Sequence, residues 1–391
     1  MALISRRTAW LGLALAAPSL AVRRAHAFDD VALDPALAEI VRPLLRDHDV
    51  PGMAVAVTRQ GRFQVSNFGV ASRETKEPVS FGTLFEIGSV SKVFTATLAL
   101  YAEALGRLSL DARPGAYMPV LQGAPIDRAS LLDLGTYAAG GLPLQFPDGI
   151  RNEREVEAYF RAWKPDAPPG TQRRYSNPSL GLFGHLAALA MKRPFAELME
   201  RELFARLGLS RAFIDVPRSL TEAYAWGYDG GRPVRVSAGP FGGEAYGVKT
   251  TVVELIRFVE MNIRPAVHEG VVRKAIEGTQ FGHFDIGSMV QGLGWEQYPY
   301  PVSLAGLLAG NSSRMAQEAR PAKRLSPPRV PSEPTLFNKT GSTRGFGAYV
   351  AFVPAKRIGV VLLANRNIPI PARVGAAHAM LAELDRSVRT P

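Results

Sequence analysis

Two strand–turn–strand patterns at opposite ends of the chain constrain its fold more than anything between them. Met53 to Thr58 and Arg62 to Val70 flank Arg59-Gln60-Gly61, and near the other end Phe346 to Val353 and Ile358 to Ala364 flank Pro354-Ala355-Lys356-Arg357. Short apolar runs broken by turn residues spell β-hairpins. Hairpins at the two ends of a chain commonly join one sheet, which leaves the middle as an inserted lobe and a cleft between lobes as the place for an active site. The middle is mostly helical in pattern: Val93 to Leu105 is proline-free and stops at Gly106, and Leu180 to Met191 and Pro194 to Leu207 follow. A last helix is expected from about Ala372 to Leu384. The fold class expected is therefore α/β, an antiparallel sheet flanked by helices with an inserted, mostly helical lobe. The stretch Pro321 to Pro334 is Pro-rich, but only 57 residues follow it, the strongest strands among them, so it reads as a crossing within one fold. We expect a single domain over 28–391, with an α/β lobe at about 28–88 and 245–391 and a helical lobe at about 89–244. At 47% hydrophobic, such a chain buries a large core.

Residues 1–27 have the form of a cleavable export signal: Arg6 and Arg7, an apolar run from Ala9 to Val22, then Ala25-His26-Ala27 before Phe28. Ser5 to Leu11 resembles a twin-arginine motif with Ala9 in the place of bulk, and Arg23 and Arg24 beside the cleavage site disfavour the general secretory route. A periplasmic protein is expected. Loss of the four signal arginines lowers the formal charge from +11 to +7. The remaining basic residues are dispersed, with no dense run or aromatic-interleaved stripe, which argues against nucleic acid and for a small anionic substrate. No later apolar stretch reaches 18 residues, so no membrane span is expected, and a monomer is the default.

Cysteine is absent, which excludes thiolate chemistry, disulfides and iron–sulfur sites. The six histidines are scattered without metal-ligand spacing, so neither metal nor cofactor is expected. Serine or carboxylate chemistry must then carry any catalysis. The candidate is Phe85-Glu86-Ile87-Gly88-Ser89-Val90-Ser91-Lys92, where Ser89 opens an apolar helix and Lys92 stands three residues on, on the same face. A helix N-terminus favours the anion formed when a serine attacks a carbonyl, and a desolvated lysine can act as its base.

An S-x-x-K alone arises by chance, but Tyr175-Ser176-Asn177 and Lys339-Thr340-Gly341 follow it in order. The order S-x-x-K, Y-x-N, K-T-G resembles the serine β-lactamases and penicillin-binding proteins, specifically the class C branch, in which tyrosine replaces the serine of S-D-N. Thr136 to Gln145, Pro169 to Asn177, Glu244 to Lys249, Gln291 to Glu296 and the tail from Lys339 through Arg373 are similar as well, so the likeness spans about Phe28 to Leu384.

The resemblance implies that Ser89 forms an acyl-enzyme with a β-lactam, that Lys92 and Tyr175 move the proton, and that the N–H groups of Ser89 and Ser342 form an oxyanion hole. It further implies that Lys339, Thr340 and Thr343, with Asn367 and Arg373 further out, receive the substrate carboxylate, and that Gly341 lets substrate lie against the strand. Gln145 and Asn177 would hold a side-chain amide, Tyr246 would offer a packing face, and Glu296 would organise water or structure. Ile370 stands where many relatives have asparagine, Arg344 where a smaller residue is usual, and Asn338 where histidine is frequent. A DD-peptidase or carboxylesterase, and a sensor acylated once, use the same motifs. Deacylation separates them from a β-lactamase. No G-x-S-x-G elbow supports an α/β-hydrolase.

Overall fold

A computed structural model describes residues 33–237 and 239–389; the export segment expected over 1–27 lies outside the described residues. Nine strands form one antiparallel sheet: β1 (Gly52–Arg59), β2 (Arg62–Gly69), β3 (Gly282–Asp285), β4 (Val290–Gly292), β5 (Glu296–Pro299), β6 (Lys323–Arg329), β7 (Thr335–Ser342), β8 (Gly347–Val353) and β9 (Ile358–Ala364), in the order β6-β3-β4-β5-β7-β8-β9-β1-β2. The two terminal hairpins do join: β1 pairs with β9, Met53 opposite Ala364 and Arg59 opposite Ile358. The first turn is two residues, Gln60 and Gly61, both at positive φ, as the twist of a tight hairpin requires. Asn365 fastens the junction. Its amide oxygen accepts from Gly52 N at 2.7 Å and its amide nitrogen donates to Val70 O at 3.0 Å.

The central strands β1, β8 and β9 are buried at nearly every position, and mostly apolar, because both faces are covered. Met53, Val55, Val57, Tyr349, Ala351, Val360 and Leu362 point to one face, where they meet α1 (Pro35–Asp47) and the last helix, Ile370–Arg389. Ala54, Ala56, Val350, Phe352, Val361 and Leu363 point to the other, against Val252–Ile263. A third cluster, built on Leu121, Leu131, Tyr137, Phe160, Leu180 and Phe183, is the interior of the helical region.

One helix joins the second and third clusters. In α2 (Ser91–Ala104), Val93, Phe94 and Leu98 face the sheet side, while Ala96, Ala99 and Leu100 face the helical region. Such a helix is apolar nearly all round, which is why its sequence shows little amphipathic pattern. Further along come α3 (Asn177–Met191), α4 (Val252–Ile263), α5 (Leu304–Gly310) and α6 (Ile370–Arg389). The Pro-rich crossing is the edge strand β6, where prolines are tolerated because one side needs no partner, and Arg320–Pro321 just before it pairs with Gln172–Arg173. The segment read as one helix from Pro194 to Leu207 is helical but irregular, with a π-helical stretch at Leu198–Phe204.

Candidate active site

Ser89 sits in a single 3-10 turn, Gly88–Val90, that runs directly into α2, so the nucleophile candidate lies just ahead of the α-helix rather than in its first turn. Lys92 falls on the same face and its Nζ donates to Ser89 Oγ at 3.0 Å and to Ala245 O at 2.6 Å. The ammonium is fully buried, and burial lowers it to about 8. Ser91, between them, points away and accepts from Val248 N at 3.0 Å, which ties the segment after the Gly242–Tyr246 helix to the turn.

Tyr175 faces this pair from the residue two before α3. Lys92 Nζ lies 5.1 Å and Lys339 Nζ 5.0 Å from the centre of its ring. Burial by itself would raise the phenol, but the charges of Lys339 and Lys92 overcome it and bring Tyr175 down to about 8. Ser89 and Lys92 are near enough to favour the phenolate, yet the hydroxyl makes no well-aligned hydrogen bond among the described residues, a looseness common before substrate arrives. Tyr137 packs its ring 4.7 Å from that of Tyr175 while holding φ at 65°, a conformation costing a bulky residue about 1–2 kcal/mol.

β7 forms the opposite wall. A Cβ on Gly341 would lie 1.9 Å from Ile87 O, and one on Gly88 would lie 2.5 Å from Ser342 N. Only glycines at both positions let the end of the strand press against the turn that carries Ser89. Lys339, buried, lies 3.6 Å from Glu296 Oε1, and the same oxygen is 3.5 Å from Arg173 Nη2.

A pocket of about 140 Å³ opens here, and its walls bring together Ser89, Tyr175, Lys339, Thr340, Ser342 and Glu296. Ile370 lines it too, as do Arg173 and the segment from Gly310 to Ala316, for which the sequence motifs imply no role. Only Arg173 stood inside a quoted motif; the 310–316 segment carries no periodic signal. Asn177 starts α3, buried, and its backbone N–H donates to Leu144 O at 3.0 Å, which brings the exposed Gln145 beside it. Tyr246 follows Ala245, half-buried, and Asn367 is exposed on the loop into α6. These four are not on the walls of that pocket.

Two expected carboxylate ligands are placed differently. Arg373 does not stand at the outer rim: it is 1% exposed, donates to Gly341 O, to Ala348 O at 3.1 Å and to Ser342 Oγ at 2.9 Å, and so braces β7 from behind. Thr343 is buried with its hydroxyl donated to Glu86, which also accepts from Tyr224 OH and from Val236 N at 2.7 Å. Buried polar groups take whatever partner satisfies them, and both side chains are committed inside the protein. Arg344 is on the surface, tied to Asp229 at 2.7 Å.

A serine joined to a buried amine, facing a tyrosine between two lysines, is the equipment of a serine acyl hydrolase. The chain belongs to the β-lactamase family, whose profile, described as Beta-lactamase, matches residues 37–385. It is 52% identical to a β-lactamase of Pseudomonas fluorescens over 347 residues, 88% of this chain and 97% of that one. Among solved structures it is similar to a class C β-lactamase in complex with cefoxitin (42% identity, TM-score 0.86, 89% and 98% of the chains). It is also similar to the D-alanine carboxypeptidase AmpC from Burkholderia cenocepacia (46% identity, TM-score 0.85, 89% and 98%). The enzyme is a hydrolase of the class C kind.

Proposed function

We propose that the chain hydrolyses the amide of cephalosporins and penicillins through an acyl-enzyme on Ser89, acting as a periplasmic monomer. The observation that carries the reading is the contact from the buried Lys92 Nζ to Ser89 Oγ at 3.0 Å, with Tyr175 beside it under two positive charges. Ser89 Oγ adds to the ring carbonyl as its proton passes to the Lys92–Tyr175 pair, the oxyanion taking the N–H groups of Ser89 and Ser342. The C–N bond then breaks and the pair delivers the proton to the ring nitrogen. In the second half the pair deprotonates a water that attacks the ester, and Ser89 recovers its proton. Lys339 and Thr340, which line the pocket, face the substrate carboxylate, with Asn367 outside them, while Gln145, Asn177 and Tyr246 serve the acyl side chain.

A second reading is removal of a C-terminal D-alanine from a peptide, favoured by the structural likeness to a D-alanine carboxypeptidase. The two differ in how fast the acyl-enzyme from a β-lactam is cleared. A time course with excess chromogenic cephalosporin, with Ser89→Ala alongside, separates them. Sustained turnover by the wild type and none by the mutant is expected; one stoichiometric burst would point to a peptidase, and a mutant that still turns over would remove Ser89 from the reaction.

A further inference from the structure

Among the described residues, Arg173 is the buried cation at this pocket that the reaction leaves without a task. It is 2% exposed, and its guanidinium is held in three directions: Nε to Gln291 Oε1 at 2.8 Å, Nη1 to Met315 O at 2.7 Å, and Nη2 toward Glu296 Oε1 at 3.5 Å. Its Cζ lies 5.6 Å from the centre of the Tyr175 ring and 5.4 Å from that of Tyr137. The Glu296 oxygen it approaches is the one that also approaches Lys339. The ionisable groups around Tyr175 are thus Lys92 from α2, Lys339 from β7, Glu296 from β5, Arg173 from the short strand before α3, and Tyr137, whose phenol burial pushes far up.

We propose that Arg173 and Glu296 are positioning residues, a buried charge-balancing pair that holds Lys339 in place and sets the strength of the base assembled at Ser89. The inference rests on Ser89, Lys92 and Tyr175 being the reacting groups. A carboxylate 3.6 Å from Lys339 fixes the ammonium, but unbalanced it would offset the positive charge that favours a phenolate at Tyr175. Arg173, on the same oxygen, restores the excess of positive charge. Its fork does a second thing: through Met315 it anchors the pocket wall to the tyrosine. The sign holds whichever group takes the serine proton. Whether Tyr175 or Lys92 is the base, becoming active means losing a proton, so a nearby positive charge makes the base available at lower pH and a negative charge at higher pH.

The test is the acid limb of kcat/KM against pH for a chromogenic cephalosporin. The near-isosteric Glu296→Gln should move it down, and Arg173→Met up, each by about half a pH unit or more. Arg173→Lys should keep it near the wild-type position, and the double variant should fall between the two singles. Limbs that coincide, or that move the same way in Glu296→Gln and Arg173→Met, would leave both residues with a purely structural role and overturn the proposal. If Arg173→Met does not fold, an unmoved Glu296→Gln limb is enough to reject it. Ser89→Ala in parallel keeps the two ideas apart: turnover without Ser89 fails the reaction, whereas a dead Ser89→Ala with unmoved limbs fails only the charge-balancing pair.

Discussion

Lys92 has its ammonium fully buried between Ser89 Oγ and a backbone carbonyl, and that placement works against stability while serving chemistry. Burial lowers its folded-state value to about 8 from 10.5. Below about pH 8 the lysine is charged in both folded and unfolded chains and the burial penalty is present in full. Between 8 and 10.5 the unfolded chain binds more protons than the folded one, so stability rises with pH as the penalty fades. Relative to Lys92→Met, the wild type should therefore gain stability across that window, and the variant should be inactive. Melting temperatures of the two proteins from pH 7 to pH 10.5 measure it; a constant gap would mean the lysine is not buried as a cation. At this scale the sequence singles out Ser89, Lys92, Tyr175 and Lys339 as candidates because each stands inside a motif of fixed local spacing, and the structure brings the four together. Arg373 and Thr343, expected at the substrate carboxylate, bond to protein groups instead, because whether a polar side chain meets substrate or protein depends on what lies behind it. For both, that is a strand or carboxylate distant in sequence.

Among the elements, the contact between β7 and the Gly88–Val90 turn decides whether the site exists. The strand was legible from its own apolar run and the helix from its proline-free pattern. Their abutment was not, since it joins residues about 250 positions apart and depends on two missing side chains. Gly341→Ala would drive a Cβ against Ile87 O, a backbone atom with no room to move. The strand end must then lift from the turn and carry the Ser342 N–H away from Ser89. The expected outcome is a loss of about a hundredfold or more in kcat/KM, as for removal of an oxyanion donor, with a stability loss of about 1–3 kcal/mol. Steady-state kinetics with a thermal melt checks both numbers, and an alanine variant with wild-type turnover would show that the abutment is not needed.

For the whole molecule, α2 is a main tie between the two regions, with Ala188 of α3 and Ile276 also reaching the core beneath the sheet. It contributes Phe94 and Leu98 to the core beneath the sheet and Ala96, Ala99 and Leu100 to the helical region, and it bears Lys92 at its start. We expect a single cooperative unfolding transition, with fluorescence of Trp295 on the sheet side, read in a Trp163→Phe, Trp226→Phe background, and far-ultraviolet dichroism of the helices melting together. Leu98→Ala, at 0% exposure, should lower stability by about 2–5 kcal/mol and keep the transition single. Two separated transitions in either protein would show the lobes to be independent folding units.

By itself the sequence determined the class of fold, the character of the chemistry and the four motif residues proposed to carry it, because hairpins, helices and short motifs are written in residues close together along the chain. Only the tertiary structure decided that Arg173 and Glu296 share a buried charge with Lys339 and that Arg373 and Thr343 turn inward. It also decided that Ile370 and the 310–316 segment wall the pocket. The physical reason is the same throughout: charge balance, close backbone approach and the lining of a cavity are set by distances between residues that no local period relates.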